Sequence, residues 1–377
     1  MMEIKNYWVF LGLLSGLLFG IATPFSKILL SNLNSFQLSG LLYLGSGIVI
    51  IPSIIKKIIY DSINPNKKGF ISKKTEIFTS KRTENSVGFN KNLLKIILIV
   101  LFGGILGPLF LMIGLSHTTA SSTAIWLNME LVATAILGII LFKDYLDKYS
   151  YVGLLFTFIA GLIVSWGEGF GNLFSIIFII LACFSWGVDN QLTSILDGYS
   201  PEFITFIKGI FGGGVNFTIG MLIAGQFISW NLLLYGIVLG IISYGLSIVF
   251  FVSSAQNLGA TRSQILFSTA PFWGISFSIL LLGEPLTLNL AIATLFLVVG
   301  IIITNNLVHK HKHHHSSTEH IHVHSHDDGH HEHCHNLLDG VELNEGDKSK
   351  KHIHKHIHEE NEHNHKHFPD LHHKHEH

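Results

Sequence analysis

Charge is scarce in this chain. Of its 377 residues only 13% are Asp, Glu, Lys or Arg, while 48% are hydrophobic. A soluble domain carries roughly twice that charged fraction, so a water-facing globule is excluded. Cysteine is almost missing: Cys183 and Cys334 offer no disulfide framework. Histidine is missing ahead of His309 except for His117. The apolar part therefore has no clustered metal ligands, and it carries no nucleophile–base set and no phosphate-binding loop. These absences argue against a membrane enzyme and against direct ATP hydrolysis. Nothing in the composition points to nucleic acid.

What is abundant is apolar, with 28 Phe and 36 Gly, as closely packed membrane helices require. Ten candidate spans fit, at roughly 8–30, 36–55, 93–115, 119–142, 151–167, 174–196, 203–224, 231–252, 262–283 and 287–307. The first run has no small-x-small cleavage site and is followed at once by another apolar stretch, so it reads as a retained span. The expected fold is an all-α membrane protein.

Only residues 56–95 interrupt the spans at length. They hold ten basic residues, from Lys56 to Lys95, against Asp61, Glu76 and Glu84, a net +7. A basic loop between spans belongs on the cytoplasmic side. With ten spans, both termini are then cytoplasmic, in the inner or plasma membrane.

The spans repeat. Ala120, Leu141, Asp144 and Leu146 match Ala260, Leu281, Glu284 and Leu286 at an offset of 140, and Phe19-Gly20 matches Trp186-Gly187 at 167. The difference falls in the basic loop. Five spans per copy is an odd number, so the copies face opposite ways and place a site near the midplane between them. The expected organisation is a first five-helix repeat over 8–145 with its fifth helix at 151–167, a second repeat over 174–307, and a tail over 309–377.

These residues resemble the EamA-type drug/metabolite transporters. The halves of that family end in an apolar helix followed by Gly-Glu and Leu. Here the second half has Gly283-Glu284-Pro285-Leu286 and the first a degraded Lys143-Asp144-Tyr145-Leu146. The family's proline is kept in the ninth span as Pro271, while Leu131 stands at the matching position in the fourth. A narrower subgroup is similar in Trp186-Gly187-Val188-Asp189-Asn190-Gln191-Leu192-Thr193, in Ile207-Lys208-Gly209, and in a His-rich tail closing on Phe368-Pro369-Asp370-Leu371-His372-His373. The resemblance implies a transporter of amino acids, metabolites or drugs, with no cofactor required, and leaves a homodimer open.

Charges inside spans are costly and are functional hypotheses by default. Asp189 in span six and Lys208 in span seven lie at matched depth, which suggests an ion pair. It either pins two helices or breaks during transport. Glu130, midway along span four, is placed to take up a proton or bind a cationic group if it faces a cavity. Asn190, Trp186 and Pro271 complete the expected pathway set. Lys27, near the outer end of span one, is expected to snorkel to the headgroups.

Residues 309–377 cannot build a core and are expected to be disordered. Eight lysines against 13 acids give net −5 with histidine neutral. His-x-His recurs at His320, His322, His324 and His326, and again at His352, His354, His356 and His358. In an extended chain, positions two apart share a side and can share a Zn, Ni, Co or Cu ion. His330, His331, His333, Cys334, His335, His372 and His373 add further ligands, with no fixed framework for one structural zinc.

Taken together, the sequence predicts a secondary transporter that exports a small metabolite or drug-like solute by alternating access, with a metal-binding tail. A divalent metal transporter and a membrane-held metal sensor or store are the alternatives.

Overall fold

The structure is a computed structural model. It describes residues 2–63, 86–142, 148–168, 173–194, 196, 201–258, 266–305, 309–315, 318–324, 352–358 and 361–367. By contacts the chain splits into two compact units, Met1–Leu307 and Val308–His377.

Among the described residues of the first unit, all regular structure is helical. A helix satisfies its own backbone hydrogen bonds, which lipid cannot do for it. Seven helical runs of 21 to 25 residues are long and apolar enough to cross a bilayer: Tyr7–Leu29, Ser35–Ile55, Asn92–Ser116, Ala120–Leu141, Leu173–Thr193, Glu202–Ala224 and Trp230–Phe251. Three shorter apolar helices, Tyr151–Trp166, Ala270–Leu282 and Leu288–Ile303, occupy the places of the fifth, ninth and tenth expected spans. A turn at Ser268-Thr269, just ahead of Pro271, precedes Ala270–Leu282. Proline has no N–H and cannot continue a helix that precedes it.

Several spans are not regular. The first divides into α1 (Met2–Gly20) and α2 (Ala22–Leu29), and the fourth into α6 (Ala120–Trp126) and α7 (Met129–Leu137). Between them lie α3 (Ser35–Ile63), α4 (Ser86–Ile99) and α5 (Gly107–Ser116). Then follow α8 (Lys148–Glu168), α9 (Leu173–Ser194), α10 (Pro201–Ile207) and α11 (Gly213–Ala224). The chain continues as α12 (Trp230–Gly240), α13 (Ser247–Leu258), α14 (Ala270–Leu282) and α15 (Leu288–Asn305). Wide π-helical turns occupy Val100–Leu106, Gly138–Phe142, Lys208–Gly212 and Ile241–Leu246. Such turns often mark functional stretches.

The packing exchanges the two halves. Helix α1 packs on α13 and α14, and α9 packs on α5 and α7. Helix α8 packs on α15, α11 on α3, and α14 on α6. Small residues allow these approaches. A Cβ on Gly212 would lie 2.7 Å from the backbone of Gly104, so the turns at 100–106 and 208–212 touch almost backbone to backbone.

In the second unit the described backbone of the tail forms β1 (His309–His315) paired antiparallel with β4 (Asn361–His367), and β2 (Thr318–His324) paired with β3 (His352–His358). The His-x-His alternation has a period of two, the repeat of a strand. The register sets His320 opposite His356, His322 opposite His354 and His324 opposite His352. His326, His330, His331, His333, Cys334, His335, His372 and His373 lie outside the described residues.

Candidate functional site

Three helix interruptions meet at one place. The breaks at Ile21, at Leu127-Asn128 and at Ser268-Thr269 surround a cavity of about 100 Å³. Phe19, Gly20 and Thr23 come from the first span, Leu127, Asn128, Glu130 and Leu131 from the fourth, and Phe267, Ser268 and Pro271 from the ninth. The breaks in the fourth and ninth lie 141 positions apart, one residue off the offset read from the sequence. A broken helix frees backbone groups, and these are satisfied locally. Asn128 Nδ2 donates to the carbonyls of Ala124 and Ile125 at 3.1 and 3.3 Å. Buried Cys183 sets Sγ 3.6 Å from the Trp126 carbonyl.

Glu130 faces this cavity, as does Pro271. The carboxylate accepts a hydrogen bond from Asn190 Nδ2 at 2.9 Å. The neighbouring Asp189 is buried and paired: Lys208 Nζ lies 2.7 Å from its Oδ2, with side chains 18% and 5% exposed respectively. Thr193 Oγ1 donates to Asp189 Oδ1 at 3.3 Å. Gly103 forms the wall against this carboxylate, since a Cβ there would overlap the Asp189 carboxyl group. Asp189, Lys208, Asn190 and Trp186 do not line the cavity. Trp186 is buried, and its Nε1 donates to Tyr43 Oη at 3.1 Å and to the Gly103 carbonyl at 3.3 Å. The expected pathway set thus divides into two cavity residues, one residue hydrogen-bonded to Glu130, and a buried layer beside them.

Sequence reasoning missed several contributors. Tyr43 packs on Tyr244 with ring centroids 5.6 Å apart, and Phe19 packs on Tyr244 at 5.7 Å and on Phe267 at 5.3 Å. Phe267 was open to such a role from the sequence, but nothing in the linear pattern singles out Phe19, Tyr43 or Tyr244. Lys27 does not reach for headgroups. Its Nζ donates to the Leu115 and Ser116 carbonyls at 2.8 and 3.1 Å, the open C-terminal end of α5. Unpaired carbonyls with the negative end of the helix dipole hold the ammonium there.

Glu284 is the contributor whose signal was visible. Gly283 ends α14 at φ 66°, a left-handed conformation that favours glycine, and its N–H returns to the Ser278 carbonyl. The chain reverses, and Glu284 reaches the start of α6. Its carboxylate accepts from the Ala120 and Ser121 N–H groups at 2.7 and 2.9 Å and from Ser121 Oγ. Thr119 Oγ1 takes the Ser122 N–H. The Gly-Glu pair is therefore a stop followed by a cap on another helix, 163 to 164 residues away in sequence. Charge-assisted bonds of this kind contribute about 1.5–3 kcal/mol each when partly buried, less where water competes. Glu284→Ala is expected to lower the melting temperature of the purified chain, with a loss of about 2 kcal/mol or more, and Glu284→Gln by less. An unchanged melting curve for Glu284→Ala would show the cap to contribute nothing. Asp144, its partner in the repeat, lies outside the described residues.

Known proteins agree with this architecture. The EamA-like transporter family matches the chain over residues 6–166 and again over 173–306. An uncharacterized transporter of Methanothermobacter thermautotrophicus is 22% identical over 313 residues, covering 80% of this chain and 87% of its own. An uncharacterized transporter of Clostridium kluyveri is 20% identical over 287 residues, covering 72% and 83%. A solved crystal structure superposes with a TM-score of 0.54 at 12% identity, over 80% of this chain and 98% of that one, a likeness of fold alone.

Proposed function

The chain belongs to the EamA-like transporter family, and from that membership we propose a secondary transporter that moves a small solute by alternating access at the Glu130 cavity. One observation carries the reading: three interrupted helices converge on one cavity, largely apolar, that holds a carboxylate. Interrupted helices at a repeat interface are how secondary transporters build substrate sites within the membrane. Ten spans arranged as two inverted halves, 8–145 completed by 151–167 and then 174–307, accommodate the exchanged packing of α1 and α9. The +7 loop supports cytoplasmic termini.

Opening and closing then follow from which helix ends are held. Glu284 and Lys27 hold the ends of α6 and α5 on the face that carries residues 117–119. Access from that face requires these bonds to break. Export is the direction we assign, and the tail over 309–377 is a regulator that binds Zn, Ni, Co or Cu; its recurring His-x-His pattern supports metal binding.

Reconstituted protein tests this reading with an uptake screen of small organic solutes, run with and without Ni²⁺, Zn²⁺ and Co²⁺. Glu130→Gln is expected to reduce flux about tenfold or more while leaving the elution profile of the purified protein unchanged. Full flux in that variant would remove the cavity from the pathway. A chain ending at Leu307 is expected to keep flux and lose metal response; loss of all flux would favour a sensor or store instead.

A further inference from the structure

We infer that the transported solute is an organic ammonium ion whose charge is neutralised by Glu130. This rests on the cavity being the transport site. Among the described residues no cation pairs with Glu130; its one side-chain partner is the neutral amide of Asn190. The nearby lysine, Lys208, is already held by Asp189. A carboxylate within the membrane lacks water to compensate it, so it is neutralised either by a proton or by a cationic group of the ligand.

The hydrogen-bonding capacity of the lining points the same way. The Thr23 and Asn128 donors are spent on backbone carbonyls: Thr23 Oγ1 donates to Gly20 at 3.3 Å, and both Asn128 bonds run to Ala124 and Ile125. The second Glu130 oxygen and the Asn128 amide oxygen are acceptors beside them. Several N–H groups at the breaks are already taken: those of Asn128, Glu130 and Leu131 are paired locally, as are those of Thr269 and Phe272, and Pro271 has none. The free acceptors favour a ligand that brings donors, and an ammonium group brings only donors. Phe19 and Phe267, with ring centroids 5.3 Å apart, supply π-faces and apolar surface for the rest of the molecule. A bare alkali ion has no use for that surface.

Three probes of one shape test the charge. Benzylammonium, benzyl alcohol and benzoate are titrated into the purified full chain, followed by calorimetry, with sodium chloride alone as a fourth arm. Benzylammonium is expected to bind about tenfold or more tightly than benzyl alcohol, as one charge-assisted bond allows. That ratio falls to about one in Glu130→Gln and is partly kept in Glu130→Asp. Equal binding of ammonium and alcohol by the wild-type chain would overturn the inference, even if Glu130→Gln fails to fold. A ratio that survives Glu130→Gln would do the same. Preferred benzoate binding, or sodium alone giving the full signal at this cavity, overturns the organic cation but leaves the cavity as the site. No saturable binding of any probe removes both.

Discussion

Asp189→Asn and Lys208→Gln are each expected to destabilise the chain by about 3–5 kcal/mol, because each leaves one buried charge without its partner. The double variant is expected to recover more than half of the larger single loss. The pair sits 2.7 Å apart with Asp189 almost fully enclosed, so solvent screening does not rescue either survivor. The measurement is a double-mutant cycle on detergent-purified protein, using melting or denaturant titration. Strict additivity would show that the two charges do not communicate. Flux through the double variant separates the two roles offered by the sequence. A folded double variant with wild-type flux makes the pair a pin between α9 and the turn at 208–212. A folded but inactive one makes its breakage part of transport.

Gly103→Val is expected to have an effect of similar size, at least about 3 kcal/mol, for a steric reason that ends in an electrostatic one. Any Cβ at 103 overlaps the Asp189 carboxyl, so that carboxyl must leave or the turn at Val100–Leu106 must withdraw. Withdrawal is opposed next door, where Gly104 meets Gly212 backbone to backbone. Displacing Asp189 strains its bond to Lys208. Gly103→Ala is expected to lose less and in the same direction. Gly214→Ala is the control: a Cβ there meets nothing within 4 Å, and a helix interior favours alanine over glycine by about 1 kcal/mol. It is expected to be neutral or slightly stabilising. Equal melting of Gly103→Val and wild type would mean that the carboxylate is not confined as described.

The same contrast runs through the rest of the molecule. Apolar runs were legible because lipid imposes one demand on every residue of a helix, and that demand is written in composition. The matched depth of Asp189 and Lys208 was legible because rise per residue is constant along a helix. The break at Asn128 was not legible, because an asparagine in a span reads equally well as packing. Lys27 was misread for a related reason. Its distance from the span's end is a property of the sequence, but the open carbonyls of α5 that hold it belong to another helix.

Membership in a membrane-spanning helical class, the repeat at offsets of 140 and 167, and the positions of the interior charges were thus determined by the sequence alone, because each depends on forces acting along one segment. Tertiary structure decided which carboxylate is compensated and which is not. Asp189 and Glu130 are equally conspicuous in the linear chain, yet one is held by Lys208 and the other faces a cavity and is hydrogen-bonded, among the described residues, by the neutral amide of Asn190. That difference arises from helices meeting at distances of a few ångströms, where Coulomb and desolvation energies are largest, and no single segment carries it.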